Sequence, residues 1–350
     1  MTEKTHVSET SSEEVEASAS LPQEAKAAKG ESAYKRWFDA HAPQVLVVAA
    51  ELALIIVFSL MSPYFLTVAN LSGLLLDGAV YVLLALGLVF VIATAGIDLT
   101  PGFGIAFTSV CLALTMTNMP GPQWLAIIVG IAAGIASGAL LGACNGFLVS
   151  FLRMQPMVAT LSMMLVAWGT ALVLTGTSAV PLSDFKPFLW LGNGRTLGIT
   201  NAFFLVIPAI IVAHILLNKT LIGRYALAIG SNEEATKLSG VNVRKWKFRV
   251  YVLGGIFTGL AGILMASKLG SGKPDVGQAY EMYAIAAAVL GGASLQGGRA
   301  NAFGAAIGAL LIATIRNGSV IMGVPEEWQK IVLGAVVLAA VYLDVRRGDN

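Results

Sequence analysis

Ten stretches of this 350-residue chain are each apolar over about the length that a helix needs to cross a bilayer, roughly 20 residues. Charged residues make up only 12% of the chain and hydrophobic residues 56%, whereas an ordinary soluble domain is about 25% charged. This composition excludes a water-soluble enzyme and predicts an all-α polytopic membrane protein with about ten transmembrane helices. The ten stretches lie near residues 45–61, 78–95, 103–118, 124–150, 157–175, 202–217, 249–267, 281–296, 302–321 and 329–343.

Lysine and arginine set the expected orientation, because the cytoplasmic loops of membrane proteins carry an excess of these residues. The longest polar loop, 218–248, is rich in them and is therefore predicted to be cytoplasmic. An even number of spans then places both termini in the cytoplasm. The segment 176–200 is expected to face the opposite side.

The chain divides into an N-terminal tail, 1–40, and a transmembrane domain, 41–350. The first 31 residues contain seven Glu, three Lys and no apolar run. This is the composition of a disordered segment and not that of a secretory signal peptide. With the orientation above, the tail is predicted to be disordered and cytoplasmic.

Several of the apolar segments contain regularly spaced glycines or are interrupted. Glycine recurs at every fourth position from Gly130 to Gly146, a pattern that lets two helices approach closely in lipid. Glycine also interrupts the chain at 95–102, together with proline, and at 291–298, which predicts broken helices. Non-helical backbone at membrane depth needs protein or water around it, so the two breaks point towards a translocation route. A loop at the membrane surface is the alternative for each break.

The loop 218–248 carries the signals of a short capped helix. Ser231 is the predicted N-cap, Glu234 is placed to reach back to it, and Gly240 is placed to end the helix in a left-handed conformation. Glu233 and Glu234 would lie at the positive end of the helix dipole. A well-capped surface helix without any functional role explains these residues equally well.

The order of the loop residues resembles the coupling loop of permease subunits of bacterial ATP-binding-cassette (ABC) importers, in the family that serves ribose, xylose, galactose and related monosaccharides. The resemblance covers roughly residues 45–345, with the motifs in the family's order. The matching segments are Gly223-Arg224, Ala228 to Asn232, Ser239-Gly240-Val241, Gly96-Ile97-Asp98-Leu99, Asn145-Gly146, Gln155-Pro156, Thr160 to Met164, Tyr280 to Ala287 and Gly291 to Gly298. The chain departs from the family at Thr100-Pro101, and at Trp168, where many relatives have a basic residue.

This resemblance implies an ABC-importer permease fold in the bacterial cytoplasmic (inner) membrane. It also implies a homodimer whose two copies form the path for a monosaccharide or related polyol, which an extracytoplasmic sugar-binding protein delivers. A cytoplasmic ATPase, which binds ATP and Mg²⁺, would dock on the loop 218–248. The permease itself would contact membrane lipid, bind no cofactor, metal or nucleic acid, and catalyse no reaction. The residues implied in coupling to the ATPase are Arg224, Ser231, Asn232, Glu233, Glu234, Ala235, Ser239 and Gly240.

The sequence agrees with the expectation that ATP is bound elsewhere. The nearest match to a P-loop is Gly270-Ser271-Gly272-Lys273-Pro274. Pro274 stands where that motif needs a serine or threonine hydroxyl for Mg²⁺. ATP is therefore expected to be hydrolysed by a separate subunit.

A sugar path needs sparse contacts, because sugars present apolar faces to aromatic rings and hydroxyl groups to polar side chains. Asp98 is the strongest candidate, since it is an intramembrane carboxylate at a predicted break. Capping of the helix that begins near Pro101 explains Asp98 equally well, and ordinary helix packing is the alternative for each aromatic residue. The candidate path residues are Asp98, Phe103, Phe107, Asn145, Thr160, Trp168 and Ser294.

Three other functions are alternatives. A proton-coupled secondary transporter would use Asp98 or Glu51, but the repeated halves that such carriers show are not evident in this sequence. An intramembrane hydrolase would need Ser294 as nucleophile and His214 as its base. Within the family, a branched-chain amino-acid permease is the alternative to a sugar permease.

Overall fold

The computed structural model describes residues 33–348, which are almost entirely helical. The helices are α1 (Ala33–Met61), α2 (Val68–Ala93), α3 (Pro101–Asn118), α4 (Gln123–Ser150), α5 (Pro156–Thr175), α6 (Lys186–Asn193), α7 (Asn201–Lys219), α8 (Leu221–Ser231), α9 (Glu233–Leu238), α10 (Val243–Leu269), α11 (Tyr280–Leu290), α12 (Ala302–Ile321) and α13 (Glu326–Gly348). Two short antiparallel pairs join β1 (Val180–Pro181) to β4 (Ser271–Gly272), and β2 (Arg195–Thr196) to β3 (Ile199–Thr200). The prediction of an all-α protein is confirmed.

Within residues 33–348, eight helices are long and apolar enough to span a membrane, namely α1, α2, α4, α5, α7, α10, α12 and α13. The other two predicted segments form α3, of 18 residues, and α11, of 11 residues. All ten apolar segments are therefore helical. Helix α11 ends at Leu290, ahead of the predicted end at 296, because the glycine-rich break begins there.

Helix α2 lies at the centre of the bundle. Every residue from Gly78 to Ala93 is buried, and α10, α11 and α12 pack around it. A helix that is apolar around its whole circumference is stable in this position, because other helices cover every face. Helices α1 and α13 are mostly exposed and lie at the periphery.

The predicted glycine ladder packs α4 against α10. A Cβ atom added to Gly138 would clash with the backbone of Gly255 and Gly259, and one added to Gly142 would clash with the Tyr251 carbonyl. The two backbones thus approach more closely than larger residues would allow. Helices in lipid gain van der Waals contact from such close approach, so the interpretation of the ladder as a packing surface is confirmed.

Both predicted breaks are present. Residues 94–100 are non-helical until Pro101 begins α3, where the missing proline N–H has no helical partner to lose. Residues 291–301 separate α11 from α12, and three of their glycines have positive φ. The first break lies inside the bundle, since Gly104 in the first turn of α3 packs against Thr258 in the middle of α10.

The predicted tail lies mostly outside the described residues, which begin at Ala33. Helix α1 starts at that residue, ahead of the boundary predicted at 40. Residues from Pro43 onward form one compact unit. The disorder and cytoplasmic location of the tail stay predictions.

Ionisable residues inside the bundle have partners on other helices. Thr314 Oγ1 on α12 donates to Glu51 Oε1 on α1 at 2.7 Å. Lys268 on α10 forms an ion pair with Asp77 on α2. These pairs link helices that are distant in sequence. Glu51 therefore has a structural role, pairing with α12, beside the proton-carrying role that the secondary-transporter alternative would give it.

Candidate coupling segment and translocation path

Residues 221–240 form an exposed segment at one end of the bundle, which we call the coupling segment. Helix α8 packs Gly223, Ala226 and Ile229 against the bundle, whereas in α9 only Thr236 is buried. Leu238, at the end of α9, is 86% exposed. The segment therefore presents polar side chains and two large apolar side chains, Leu221 and Leu238, to its surroundings.

Asn232 caps α9, and the prediction of Ser231 as the N-cap is wrong. Ala235 N–H donates to Asn232 Oδ1 at 2.8 Å, whereas Ser231 is the last residue of α8. The cap lies one residue later because α8 continues through Ser231, which leaves Asn232 as the first extended residue. Gly240 has a φ of +82°, as the predicted helix end requires.

The charged residues of the coupling segment are accessible. Lys247 Nζ in the first turns of α10 donates to Glu233 Oε2 at 2.6 Å, which ties α9 to that helix. Glu234 and Arg224 have no ion-pair partner among the described residues. The predicted coupling residues all lie exposed in this one segment: Arg224, Ser231, Asn232, Glu233, Glu234, Ala235, Ser239 and Gly240.

The two breaks contact each other and the end of α8. Gly298 N–H in the second break donates to the Ala93 carbonyl at the end of α2, at 3.1 Å. A Cβ atom added to Gly230 of α8 would clash with this carbonyl and with the Gly298 nitrogen. Gly230 therefore packs directly against the end of α2 and the second break.

Four buried polar side chains hold the first break, namely Asp98, Thr100, Asn145 and Thr160, which we call the break cluster. Thr100 N–H and Asn145 Nδ2 donate to Asp98 Oδ1, at 2.9 and 3.2 Å. Asn145 Nδ2 also donates to Thr100 Oγ1 at 2.5 Å, and Leu99 N–H donates to Thr160 Oγ1 at 3.1 Å. All four residues are buried, so protein groups replace water around this non-helical backbone.

The aromatic rings of Phe103 on α3 and Trp168 on α5 stack on each other. Phe103 follows Thr100 of the break cluster by three residues, and Trp168 follows Thr160 by eight. Their ring centroids lie 4.4 Å apart, and the angle between the ring planes is 11°. Phe107, one turn further along α3, is half-buried. The structure thus brings two of the predicted path aromatics together and places the third on the same helix.

Several buried polar atoms near the start of α3 have no hydrogen-bond partner among the described residues. They are Trp168 Nε1, Asn145 Oδ1 and Glu281 Oε2. The Glu281 carboxylate lies against Gly102, because a Cβ atom added to that glycine would be 3.0 Å from the carboxylate carbon. Buried polar atoms normally have partners, so these three atoms are unsatisfied hydrogen-bonding groups inside the bundle.

Ser294 contacts a different part of the bundle. Its Oγ donates to Asp344 Oδ2 on α13 at 3.3 Å, and Leu295 N–H donates to the same oxygen at 2.9 Å. His214 contacts Asn218 and packs on another ring, and no hydrogen bond joins it to Ser294 in the described part of the chain. The hydrolase alternative therefore lacks its base in this structure.

Sequence reasoning named Thr100 only as a departure from the family and did not predict its role in the break cluster, and it missed Tyr251 and Glu281. Glu281 lies in the segment Tyr280 to Ala287, which had been matched to the family, so a signal for it was present. Tyr251 carried no local signal, because its position beside the first break depends on packing between distant helices. The Tyr251 hydroxyl lies beside Gly96 in the first break and has no partner among the described residues.

Comparison with known proteins identifies the family. The family described as branched-chain amino acid transport system / permease component matches residues 70–341. The ribose import permease protein RbsC of Escherichia coli (strain K12) is 40% identical over 301 residues, which cover 85% of this chain and 92% of the relative. RbsC of Bacillus subtilis (strain 168) is 41% identical over 295 residues, or 84% of this chain and 90% of the relative.

A third relative is named for a different sugar. The L-arabinose ABC transporter permease protein AraH of Azospirillum brasilense is 35% identical over 304 residues, which cover 87% of this chain and 88% of the relative. No solved structure matches the chain. The family match includes both breaks and the coupling segment, and with these relatives it shows that the chain belongs to this family of membrane-embedded transport permease components.

Proposed function

We propose that the chain is the permease subunit of an ATP-driven importer for a monosaccharide, such as a ribose-type sugar or a related polyol. The observation that carries the proposal is its 40% identity to a ribose import permease over 92% of that relative. The family description mentions branched-chain amino acids, but the relatives above are named for ribose and L-arabinose. A sugar is therefore the better-supported solute.

The subunit would work in the bacterial inner membrane with both termini in the cytoplasm. Two copies would form the solute path, an extracytoplasmic binding protein would deliver the sugar, and an ATPase holding ATP and Mg²⁺ would dock on the coupling segment. The accessible carboxylates and the exposed Leu238 of that segment support docking of a protein there. The permease itself would catalyse no reaction.

Coupling would pass from the coupling segment to the breaks. Gly230 touches Ala93 at the start of the first break and Gly298 in the second. Packed contacts without a gap transmit a displacement, because an interface of this kind switches between discrete arrangements and does not deform continuously. ATP-driven movement of α8 and α9 would thereby change the backbone that holds the break cluster.

The start of α3 has the chemistry that a sugar needs. The stacked rings of Phe103 and Trp168 offer an apolar face, and the indole N–H of Trp168 has no partner among the described residues. Asn145 Oδ1 and Glu281 Oε2 can accept hydrogen bonds from sugar hydroxyls. Contacts this sparse suit transport, because tight binding in the path would trap the solute.

The test is solute uptake into vesicles that hold this chain with its ATPase and binding protein. Glu233→Ala/Glu234→Ala is expected to weaken ATPase docking about tenfold, equivalent to about 1.4 kcal/mol for the loss of two interface charges. ATP-dependent uptake at limiting ATPase should fall accordingly. Glu326→Ala/Glu327→Ala is the matched control, since it removes two exposed carboxylates from the first turn of α13.

Further arms separate the alternatives. Ribose-type sugars should compete for uptake and leucine should not, and uptake should survive collapse of the proton gradient. Uptake that needs only this chain and stops with the gradient would contradict the proposal in favour of a proton-coupled carrier. Competition by leucine alone would contradict the choice of a sugar.

A further inference from the structure

A cavity of about 770 Å³ lies where the coupling segment meets the ends of the long helices. Its walls come from the end of α4, the loop that leads to α5, helix α9 and the start of α10. The side chains that matter here are Arg153, Lys237, Arg244, Lys247, Glu233 and Ser150, and we call this space the basic cavity. It is distinct from the break cluster and from the stacked rings.

The charges of the basic cavity are unbalanced. Four basic side chains and one carboxylate line it, and Glu233 is paired with Lys247 at 2.6 Å. Arg153, Lys237 and Arg244 have no carboxylate within ion-pair distance among the described residues. Three cations that converge on one space without counter-charges favour an anionic occupant.

A buried hydroxyl in the wall is also without a partner. Ser150 is 4% exposed, and its Oγ makes no hydrogen bond in the described part of the chain. Buried polar atoms normally find partners, and Ser150 lines the cavity, so its unsatisfied hydroxyl lies in the cavity wall, covered from solvent. A hydroxyl donor beside guanidinium and ammonium groups is the donor set that a phosphate group prefers.

The backbone at Arg153 supports the same interpretation. Arg153 follows the end of α4 with a φ of +58°, a left-handed conformation that suits glycine and strains residues with a side chain. Met154 N–H donates to the Leu148 carbonyl at 3.1 Å, which closes the end of the helix around this residue. The strained position holds a cation at the cavity, where a glycine would close the helix without strain.

The surroundings of the cavity indicate where the phosphate comes from. Phe151, Leu152 and Met157, at the end of α4 and the start of α5, are 45%, 56% and 47% exposed. Apolar side chains thus flank a cationic cavity at the ends of membrane-spanning helices. A phospholipid matches both features, because its acyl chains contact apolar residues while its headgroup enters a basic pocket.

We propose that the basic cavity binds the phosphate group of an anionic phospholipid and thereby braces α9 against the ends of α4 and α10. This site does not depend on which solute the protein carries. Arg153 and Arg244 would contact the phosphate oxygens, and Ser150 Oγ would donate to them. Occupancy would stabilise the position of Glu233 and Lys247, so the lipid would influence the coupling segment.

The experiment measures binding of short-chain phosphatidylglycerol to the purified full-length chain in detergent, with phosphatidylcholine and inorganic phosphate as separate arms. Arg244→Gln and Arg153→Gly should each weaken phosphatidylglycerol binding about fivefold, the effect expected for one cation at an anionic headgroup. Lys245→Gln is the matched control, because Lys245 follows Arg244, is exposed and does not line the cavity. Arg153→Gly should also unfold at a temperature no lower than the wild type, since it removes the backbone strain.

The outcomes are distinct. Preference for phosphatidylglycerol that is lost in Arg244→Gln but kept in Lys245→Gln supports the proposal. Equal binding of inorganic phosphate would keep the phosphate site but overturn a lipid as its source. Equal losses in Arg244→Gln and Lys245→Gln would overturn the site in favour of general surface charge. Loss of ATPase docking in Arg244→Gln without any change in lipid binding would overturn it in favour of an acidic segment of the ATPase.

Discussion

Asp98 and Trp168 illustrate two ways in which a polar side chain is accommodated inside an apolar bundle. Asp98 Oδ1 accepts from two donors, one on its own turn and one on α4, so the carboxylate serves as a brace for the break. Trp168 stacks on Phe103 while its N–H has no partner among the described residues. The first arrangement stabilises the fold, and the second leaves a donor for a ligand.

This difference predicts the effect of Trp168→Phe. The variant keeps an aromatic ring against Phe103 but removes the indole N–H, so stability should be unchanged or slightly higher, because a buried unpaired donor is lost. The apparent KM for sugar uptake should rise about fivefold, as expected for one lost hydrogen bond of about 1 kcal/mol. Uptake kinetics and thermal unfolding of the purified protein check both statements.

Trp124→Phe is the control for this prediction. Trp124 lies in the first turn of α4 and is 62% exposed, so the same substitution there should change neither quantity. A KM that is unchanged in Trp168→Phe would remove Trp168 from the path. A large fall in its stability would show that the indole of Trp168 is needed for packing, which would contradict its role as a donor left for a ligand.

Between elements, the closest packing is that of α4 against α10. The regular glycine spacing on α4 predicted a packing surface. The partner helix was not evident from the sequence, because more than one other segment also carries spaced glycines. The structure matches Gly138 and Gly142 to Gly255, Gly259 and the Tyr251 carbonyl. The breaks show the same relation: their sequences predicted non-helical backbone, while their contact with Gly230 depends on how the helices pack.

The ladder predicts that Gly138→Ala is destabilising. The added methyl group would meet the backbone of α10, which cannot move aside as a side chain can, so overpacking should cost about 1–3 kcal/mol. The measurement is the free energy of unfolding in detergent or in lipid. Gly142→Ala should behave in the same way.

Gly334→Ala is the comparison for the ladder variant. A Cβ atom at Gly334 on α13 meets nothing within 4 Å, so the change should be neutral or should add up to about 1 kcal/mol from helix propensity. Equal effects at Gly138 and Gly334 would show that α4 and α10 do not pack as described. A gain in stability at Gly138 would show the same.

For the whole molecule, the predicted orientation places the coupling segment and the segment 176–200 on opposite sides of the membrane. With the predicted orientation, Ser239→Cys in the coupling segment should react with a membrane-impermeant maleimide only after cells are permeabilised. Ser183→Cys, at an exposed position in 176–200, should react in intact cells. Labelling in each condition, counted above the background of the native Cys111 and Cys144, checks the orientation.

The reverse labelling pattern would show that the protein has the opposite orientation in the membrane, with the coupling segment outside the cell. An ATPase could not dock on it there, so the proposed function would fail with the orientation. Labelling of both positions in intact cells would contradict the assignment of the two segments to opposite sides. Intact wild-type cells measure the background of the two native cysteines.

Features that depend on local chemistry were predictable from the order of residues along the chain. Long apolar runs form helices in a membrane whatever their neighbours, because every backbone polar group must then be satisfied within the segment. Clustered glycines and Pro101 likewise interrupt or begin helices through their own backbone preferences. For this reason the ten segments, both breaks and the left-handed Gly240 were predictable from neighbouring residues alone.

Which polar groups meet depends on how the helices pack, and this was not predictable from the order of residues. Asn145 is 47 positions from Asp98, so no local pattern could predict that the two side chains meet. Ser294 is 50 positions from Asp344, so no local pattern could predict that Ser294 contacts α13 and lies apart from the break cluster. The cap on α9 moved to Asn232 because the length of α8 depends on how that helix packs. Hydrogen bonds between helices are set by packing depth and rotation, and these are properties of the assembled bundle.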